Sequence, residues 1–220
     1  MKIFIDFDGV IFNTELFKQQ LIKCFFEAGV LKKDFEKSHQ YFENQKIPYS
    51  AIKHLKFLKK FLKRKYSYKN DRSYSCILKL VEKLFKNLRI YVFKDVEKFL
   101  KSFSKNDLYL LSYGDLNFQK QKIKGAGIFS YFKRIIVTNK SKAKIIKEII
   151  KKDKLSKSEK IIFIDDKLQF IEEVGLVKNI TTIQLIRPQY KSISKFSKKA
   201  DFRAENLTEI KKIIGNNVVI

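Results

Sequence analysis

The chain opens MKIFIDFDGVIFNT, Met1 to Thr14, and this stretch decides the fold. Ile3, Phe4, Ile5 and Phe7 are apolar with β-preferring side chains, so residues 1–7 predict a short buried strand. Asp6, Asp8 and Gly9 end it, and glycine permits a sharp change of direction. Acids inside the first apolar run exclude a signal-peptide core. A buried strand that ends in carboxylates suits a parallel sheet, where ligands bind beyond the carboxyl ends of the strands.

Working outward, the pattern turns helical. Thr14 is the expected N-cap of a helix from Glu15 to about Ala28, closed by Gly29. Leu16, Phe17, Leu21, Cys24, Phe25 and Ala28 form its apolar stripe. Residues 34–44, 50–66 and 73–87 read as three further helices, with no strand pattern between 14 and 88. Beyond that the chain alternates. Strands are expected at 108–112, 134–138, 161–164 and 181–186. Helices are expected at 95–103, 116–124, from a Ser141 cap to about 152, at 168–174, and at 205–214 before Gly215. This alternation predicts an α/β fold: a Rossmann-like, mostly parallel sheet flanked by helices, with an inserted all-helical cap domain. The expected division is a core of residues 1–13 and 93–220 and a cap of residues 14–92.

Composition agrees. At 220 residues and 45% hydrophobic, the chain can bury a core, which excludes a disordered or collagen-like protein. With 7 Gly and 2 Pro it favours long helices over many-stranded architectures. Cys24 and Cys76 are too few for a disulfide framework and lack metal-ligand spacing. No run approaches the ~20 apolar residues of a membrane span, so no membrane partner is expected, and the expected location is the cytoplasm. The net charge is +25, from 48 basic and 23 acidic residues. Such a charge is compatible with nucleic acid. Yet 42 of the 48 bases are Lys, whereas dedicated phosphate readers lean on the bidentate geometry of Arg, so nucleic acid is not the favoured partner.

The chemistry should lie at the strand ends. Asp6 and Asp8 end the first strand, Ser112 the second, and Asp165 and Asp166 the fourth; Lys142 opens the helix after the third. Four carboxylates drawn together raise each other's pKa, and a hard divalent cation such as Mg²⁺ removes the conflict. One Asp oxygen remains free to attack an electrophile. A second Asp two residues on, projecting to the same side of the strand, can shuttle a proton. Ser112 and a lysine can hold phosphoryl oxygens. The residues therefore suggest Mg²⁺-dependent phosphoryl transfer through an aspartyl-phosphate.

At this point the residues 4–14 resemble the first motif of the haloacid dehalogenase (HAD) superfamily, Asp-x-Asp-Gly followed by two apolar residues and a polar turn. Leu110-Leu111-Ser112-Tyr113-Gly114 is similar to the second motif, Lys142 in Ser-Lys-Ala-Lys-Ile-Ile to the third, and Ile164-Asp165-Asp166-Lys167 to the paired-acid form of the fourth. The resemblance spans residues 6 to 166, in the family's order. It implies a nucleophile and metal ligand at Asp6, and a general acid/base at Asp8 whose backbone carbonyl also meets the metal. It further implies phosphoryl contacts from Ser112 and Lys142, and completion of the Mg²⁺ site by Asp166 with Asp165. Members that dehalogenate lack the second Asp of the first motif, so Asp8 points to a phosphatase acting on a small phosphorylated substrate.

Several choices stay open on sequence alone. Lys144 rivals Lys142, and either Asp165 or Asp166 is the direct metal ligand. Tyr113 stands where Asn is common in the family, and packs on substrate or fills space. Glu172 and Glu173 are expected on a solvated helix face, and His39 and His54 as packed or solvated rather than catalytic residues. Lys53, Lys56, Lys59, Lys60, Lys63, Arg64, Lys65 and Lys69 line one side of the third helix; Leu55, Leu58 and Leu62 with Phe57 and Phe61 line the other. Those bases form either a solvated face or a positive rim that steers anionic substrates. The alternatives to a small-molecule phosphatase are three: a nucleic-acid-associated phosphatase, a non-catalytic nucleic-acid-binding protein on the same fold, and a phosphotransferase or phosphomutase using the same site.

Overall fold

The computed structural model of the chain describes residues 1–45, 47–66, 71–156, 158–192 and 194–216, with backbone only at 61–66 and 71–73. Six parallel strands form one sheet: β1 (Lys2–Ile5), β2 (Leu108–Tyr113), β3 (Arg134–Thr138), β4 (Ile161–Asp165), β5 (Ile180–Leu185) and β6 (Phe202–Ala204). Their spatial order is β3-β2-β1-β4-β5-β6. The strand β6 was not expected; three residues with one polar member are too short to show a period of two.

Successive side chains of a strand point to opposite faces, and the central strands are apolar on both. Ile3, Ile5, Leu108, Leu110, Ile162 and Ile164 belong to one apolar cluster. Phe4, Tyr109, Leu111, Ile161 and Phe163 belong to another. Helices α7 (Lys142–Lys152) and α8 (Leu168–Val174) cover the second cluster with Ile146, Ile149, Phe170 and Ile171. Helices α5 (Val96–Leu100), α6 (Leu116–Gly125) and α9 (Leu207–Asn216) cover the first with Phe99, Ile123 and Ile210. α9 continues through Gly215 rather than stopping before it, at a helix-propensity cost of about 1 kcal/mol.

Among the described residues four α-helices stand between β1 and α5: α1 (Thr14–Glu27), α2 (Lys32–Asn44), α3 (Ala51–Tyr66) and α4 (Asp71–Phe85). The first apolar cluster runs on into them through Phe12, Phe17, Leu21, Phe25 and Leu55, so this all-helical insert shares its core with one face of the sheet. The chain enters and leaves the insert side by side. Phe12 and Val92 form an antiparallel bridge, Asn13 N–H donates to Tyr91 O at 2.7 Å, and Phe93 N–H to Ile11 O at 3.0 Å.

Some local expectations change. The N-cap of α1 is Asn13, not Thr14: the Asn13 side chain accepts from Leu16 N–H at 3.1 Å, one residue earlier than expected, which leaves the Thr14 hydroxyl available elsewhere. Leu16 lies outside the buried stripe at 40% exposure, beside Phe17, Leu21, Cys24 and Phe25, which are buried. In α3, Leu55 and Leu58 are buried and Lys53, Lys56, Lys59 and Lys60 exposed. Phe61, Leu62, Lys63, Arg64, Lys65 and Lys69 lie outside the residues whose side chains are described. Among the described residues no helix is long and apolar enough to cross a membrane.

Candidate active site

The strand order places the site. β1 is central, with β2 on one side and β4 on the other, so the chain reverses its direction of growth there, and a crevice opens beyond the carboxyl ends of these three strands. Ile5 stands opposite both Leu110 and Ile164, and Asp6 N–H donates to Ile164 O at 2.9 Å. This register brings the ends of the strands together. Asp6, Ser112 and Asp165 are all buried there.

Lys142 enters from α7. Ser141 caps that helix by accepting from Lys144 N–H at 3.1 Å, and Ser141 Oγ in turn donates to Glu173 on α8. The Lys142 side chain is fully buried and Nζ donates to Asp6 Oδ1 at 2.5 Å and Asp165 Oδ2 at 2.6 Å, with the Phe170 ring 4.4 Å away. Lys144, its rival in the sequence, is exposed, and it is Lys142 that meets these acids. Asp165 Oδ1 also accepts from Lys167 N–H at 2.9 Å. Carboxylate oxygens of Asp6, Asp165 and Asp166 lie within 4.8 Å of one another. Gln184, buried on β5, holds this loop by donating to Asp166 O at 3.1 Å. Gly9 makes room: its φ is +76°, and a Cβ there would stand 2.3 Å from Asp166 Oδ2.

Asp8 has different company. β1 ends at Ile5, so strand alternation does not by itself place Asp8, although its charge is felt at Asp6. Its carboxylate accepts from Thr14 Oγ1 at 2.6 Å, from Gln119 Nε2 at 2.5 Å and from the Lys122 ammonium. Gln119 Nε2 also donates to Ser112 Oγ at 2.9 Å and Tyr113 O at 3.3 Å. The Asp8 side chain is therefore outside the acid group that fits a metal, and the metal contact expected of Asp8 is left to its backbone carbonyl.

These surroundings split the acids electrically. Burial pushes Asp6 up to about 7, against the pull of Lys142 and with the help of Asp165 and Asp8. Burial, then Asp165 and Asp6, also raise Asp166 well above the carboxylate range. Asp8 goes the other way: burial alone would raise it, but Lys122, Thr14 and Gln119 bring it below the ordinary value. The Lys142 ammonium, which burial would weaken, is held firmly charged by Asp165 and Asp6. Asp6 and Asp165 thus share the buried Lys142 ammonium, the charges of Lys167 and Lys142 only partly offset Asp166, and Asp166 Oδ1 is buried with no hydrogen-bond partner. A divalent cation with oxygen preference fits this set: it supplies the missing positive charge and a partner for the orphaned oxygen.

Gln119 and Lys122 were not singled out by sequence. Their available signal was a spacing of three on the helix after Ser112, which puts both on one face, but in so Lys-rich a chain it did not stand out. The solvated face expected for Glu172 and Glu173 is also corrected. Both are half-buried; Glu173 accepts from Ser141 and Glu172 from Ser197 Oγ at 3.3 Å, because α8 packs against the neighbouring α7 and the loop after β5. Tyr113 is 37% exposed and packs on Phe170 at 5.3 Å between ring centres. His54 is packed: it is fully buried, with Ser38 Oγ 2.6 Å from Nε2 and Tyr49 OH 3.1 Å from Nδ1.

Comparison with known proteins finds no family model that matches the chain and no curated protein that matches it in sequence. Solved structures do match it over nearly its whole length. A haloacid dehalogenase-like family hydrolase from Xanthomonas campestris aligns at TM-score 0.71 and 15% identity, over 98% of this chain and 95% of that one. The candidate HAD-hydrolase YfnB from Bacillus subtilis, solved bound to magnesium, aligns at TM-score 0.65 and 16% identity, over 97% of each chain. L-2-haloacid dehalogenase from Xanthobacter autotrophicus aligns at TM-score 0.61 and 12% identity, over 98% and 99%. The chain has the fold of the HAD-like hydrolases, helical insert included. That fold is shared by dehalogenases, so the chemistry rests on the residues at the strand ends.

Proposed function

We propose that this protein is a Mg²⁺-dependent phosphatase that hydrolyses a small phosphomonoester through an aspartyl-phosphate on Asp6. One observation carries the reading. Asp6, Asp165 and Asp166 gather their oxygens within 4.8 Å beside the buried Lys142, with Asp166 Oδ1 left unpartnered. Asp6, Asp165 or Asp166 and the Asp8 backbone carbonyl would hold Mg²⁺, which when bound lowers the charge conflict of the acids and withdraws electron density from the phosphoryl oxygens.

Asp6 attacks phosphorus in line and the alcohol oxygen leaves, taking a proton from Asp8. Asp8 then accepts a proton from water, which attacks the aspartyl-phosphate, frees inorganic phosphate and restores Asp6. Ser112 and Lys142 hold the phosphoryl oxygens as charge shifts among them. The contacts of Asp8 favour its carboxylate, the form this second step needs, so esters of acidic alcohols, which leave without a proton, should react faster. The helical insert closes over the crevice, excludes bulk water and selects the substrate. Asp8 also argues against dehalogenation: the resemblance gives dehalogenating members no acid there, whereas here Thr14, Gln119 and Lys122 are all spent on holding one.

The test is a panel of phosphomonoesters with and without Mg²⁺. The expected result is Mg²⁺-dependent phosphate release that Asp6→Asn abolishes and Asp8→Asn slows. Turnover of a haloacid in place of phosphoesters, or full metal-dependent activity in Asp6→Asn, contradicts the proposal.

A further inference from the structure

We infer that Gln119 and Lys122 are positioning residues that hold the proton-shuttling acid and the phosphoryl-binding hydroxyl as one unit; this rests on the phosphatase reading above. The geometry begins with α6, whose N-cap Asp115 accepts from Phe118 N–H at 3.0 Å. That cap fixes the phase of the helix, so Gln119 and Lys122, three residues apart, present one face to the crevice. Both are buried, at 4% and 3% exposure. Gln119 Nε2 donates to Asp8 Oδ2 at 2.5 Å and to Ser112 Oγ at 2.9 Å, bridging two strand ends. Since Ser112 Oγ accepts that bond, its own hydrogen is directed to another acceptor, which suits a phosphoryl oxygen. Gly114 gives Gln119 its space: a Cβ there would stand 2.9 Å from Gln119 Cγ.

Lys122 supplies the charge. Its ammonium pairs with Asp8 Oδ1 and lies 5.1–5.6 Å from the ring centres of Phe7, Phe12, Phe17 and Phe118. Phe17 and Thr14 belong to α1 of the insert, and Phe12 to the segment that enters it. The acid is thereby held from the insert, through Thr14, and from α6 of the core, through Gln119 and Lys122, at once. A buried ion pair seldom gains stability over an apolar pair of the same shape, so stability alone is a weak reason for burying a lysine here. Fixing the carboxylate that moves the proton is a stronger one.

The experiment is a double-mutant cycle of Lys122→Met and Asp8→Asn, read as kcat and KM on p-nitrophenyl phosphate with Mg²⁺, by single turnover where slow. Lys122→Met should lower kcat about a hundredfold and leave KM within about twofold, the size of a lost acid/base contribution. In the Asp8→Asn background the same substitution should change kcat by less than about twofold, because its effect runs through Asp8. Equal losses in both backgrounds would overturn the inference and leave Lys122 a structural residue. If Lys122→Met does not fold, Gln119→Leu is carried through the same cycle with the same two outcomes. Retention of full turnover by Asp6→Asn would instead sink the underlying phosphatase reading, while the cycle between positions 8 and 122 still returns its own answer.

Discussion

Two buried polar clusters, one at the sheet and one in the insert, look alike by burial and differ in what they lack. In the insert, His54 has Ser38 at one ring nitrogen and Tyr49 at the other, and Ser38 Oγ donates onward to Phe35 O at 2.8 Å. Rings of Phe25, Phe35 and Phe42 surround it at 4.9–5.4 Å. Among the described residues this cluster is neutral and leaves no buried polar atom without a partner. At the sheet, Asp6, Asp165 and Asp166 outnumber the two lysines whose charges act on them, Lys142 and Lys167, and Asp166 Oδ1 and Gln119 Oε1 are buried without partners. A closed network packs a core; the cation proposed for the open one would supply the charge and the partner it lacks. The contrast explains why His54, although buried and titratable, is assigned no chemistry.

The largest effect separates the clusters by turnover. Asp6→Asn should cut kcat by about a thousandfold or more, as expected for a nucleophile, while the protein stays folded. His54→Gln should leave kcat within about twofold, because it touches no reacting group. Steady-state kinetics on the same phosphoester checks both; a comparable loss in His54→Gln would break the distinction. A second effect separates them by metal. Mg²⁺ at a hundred times its Kd should raise unfolding free energy by about 2.7 kcal/mol. EDTA should remove that gain and the turnover together. In Asp166→Asn the gain should shrink, whereas in His54→Gln it should persist; calorimetry or thermal melts decide this.

The third effect belongs to the insert alone. Burial, then His39, lower His54 to about 4, against about 6.5 for an unfolded histidine. Between those values the unfolded chain binds a proton that the folded chain refuses, so stability falls as pH drops from 6.5 towards 4. The shift corresponds to roughly 3 kcal/mol by its lower end. His54→Gln should flatten this part of the stability profile; an unchanged profile would show that His54 is not its source. The smallest effect concerns Lys53, whose Nζ lies 2.6 Å from Asp115 Oδ2, joining α3 to the start of α6. Lys53 is half exposed, so Lys53→Gln should cost less than about 1 kcal/mol. If the lysines of α3 steer anionic substrates, kcat/KM for a doubly anionic ester should fall more steeply with salt than for an ester with an uncharged tail. Equal salt dependence would make them a solvated face.

The sheet and the acids at its edge were legible because burial on both faces writes itself as continuous apolar runs, as in Ile161-Ile162-Phe163-Ile164, and because Asp6, Ser112 and Asp165 each interrupt such a run at its end. What was illegible depended on three-dimensional company. Lys122 is one of 42 lysines, and nothing local tells a lysine beneath four aromatic rings from one in water. The bonding of Asp8 could not be read because the chain has left strand geometry after Ile5, before either acid. Asn13 and Thr14 are both good caps, and only the phase of α1 chose between them.

The most direct test is to mix the protein with a radiolabelled phosphomonoester and Mg²⁺, quench with acid within the first turnover, and map the label by peptide. The expected result is a phosphoryl group on the peptide that carries Asp6, absent without Mg²⁺ and absent in Asp6→Asn. Phosphate release at full rate with no label on that peptide would contradict the account.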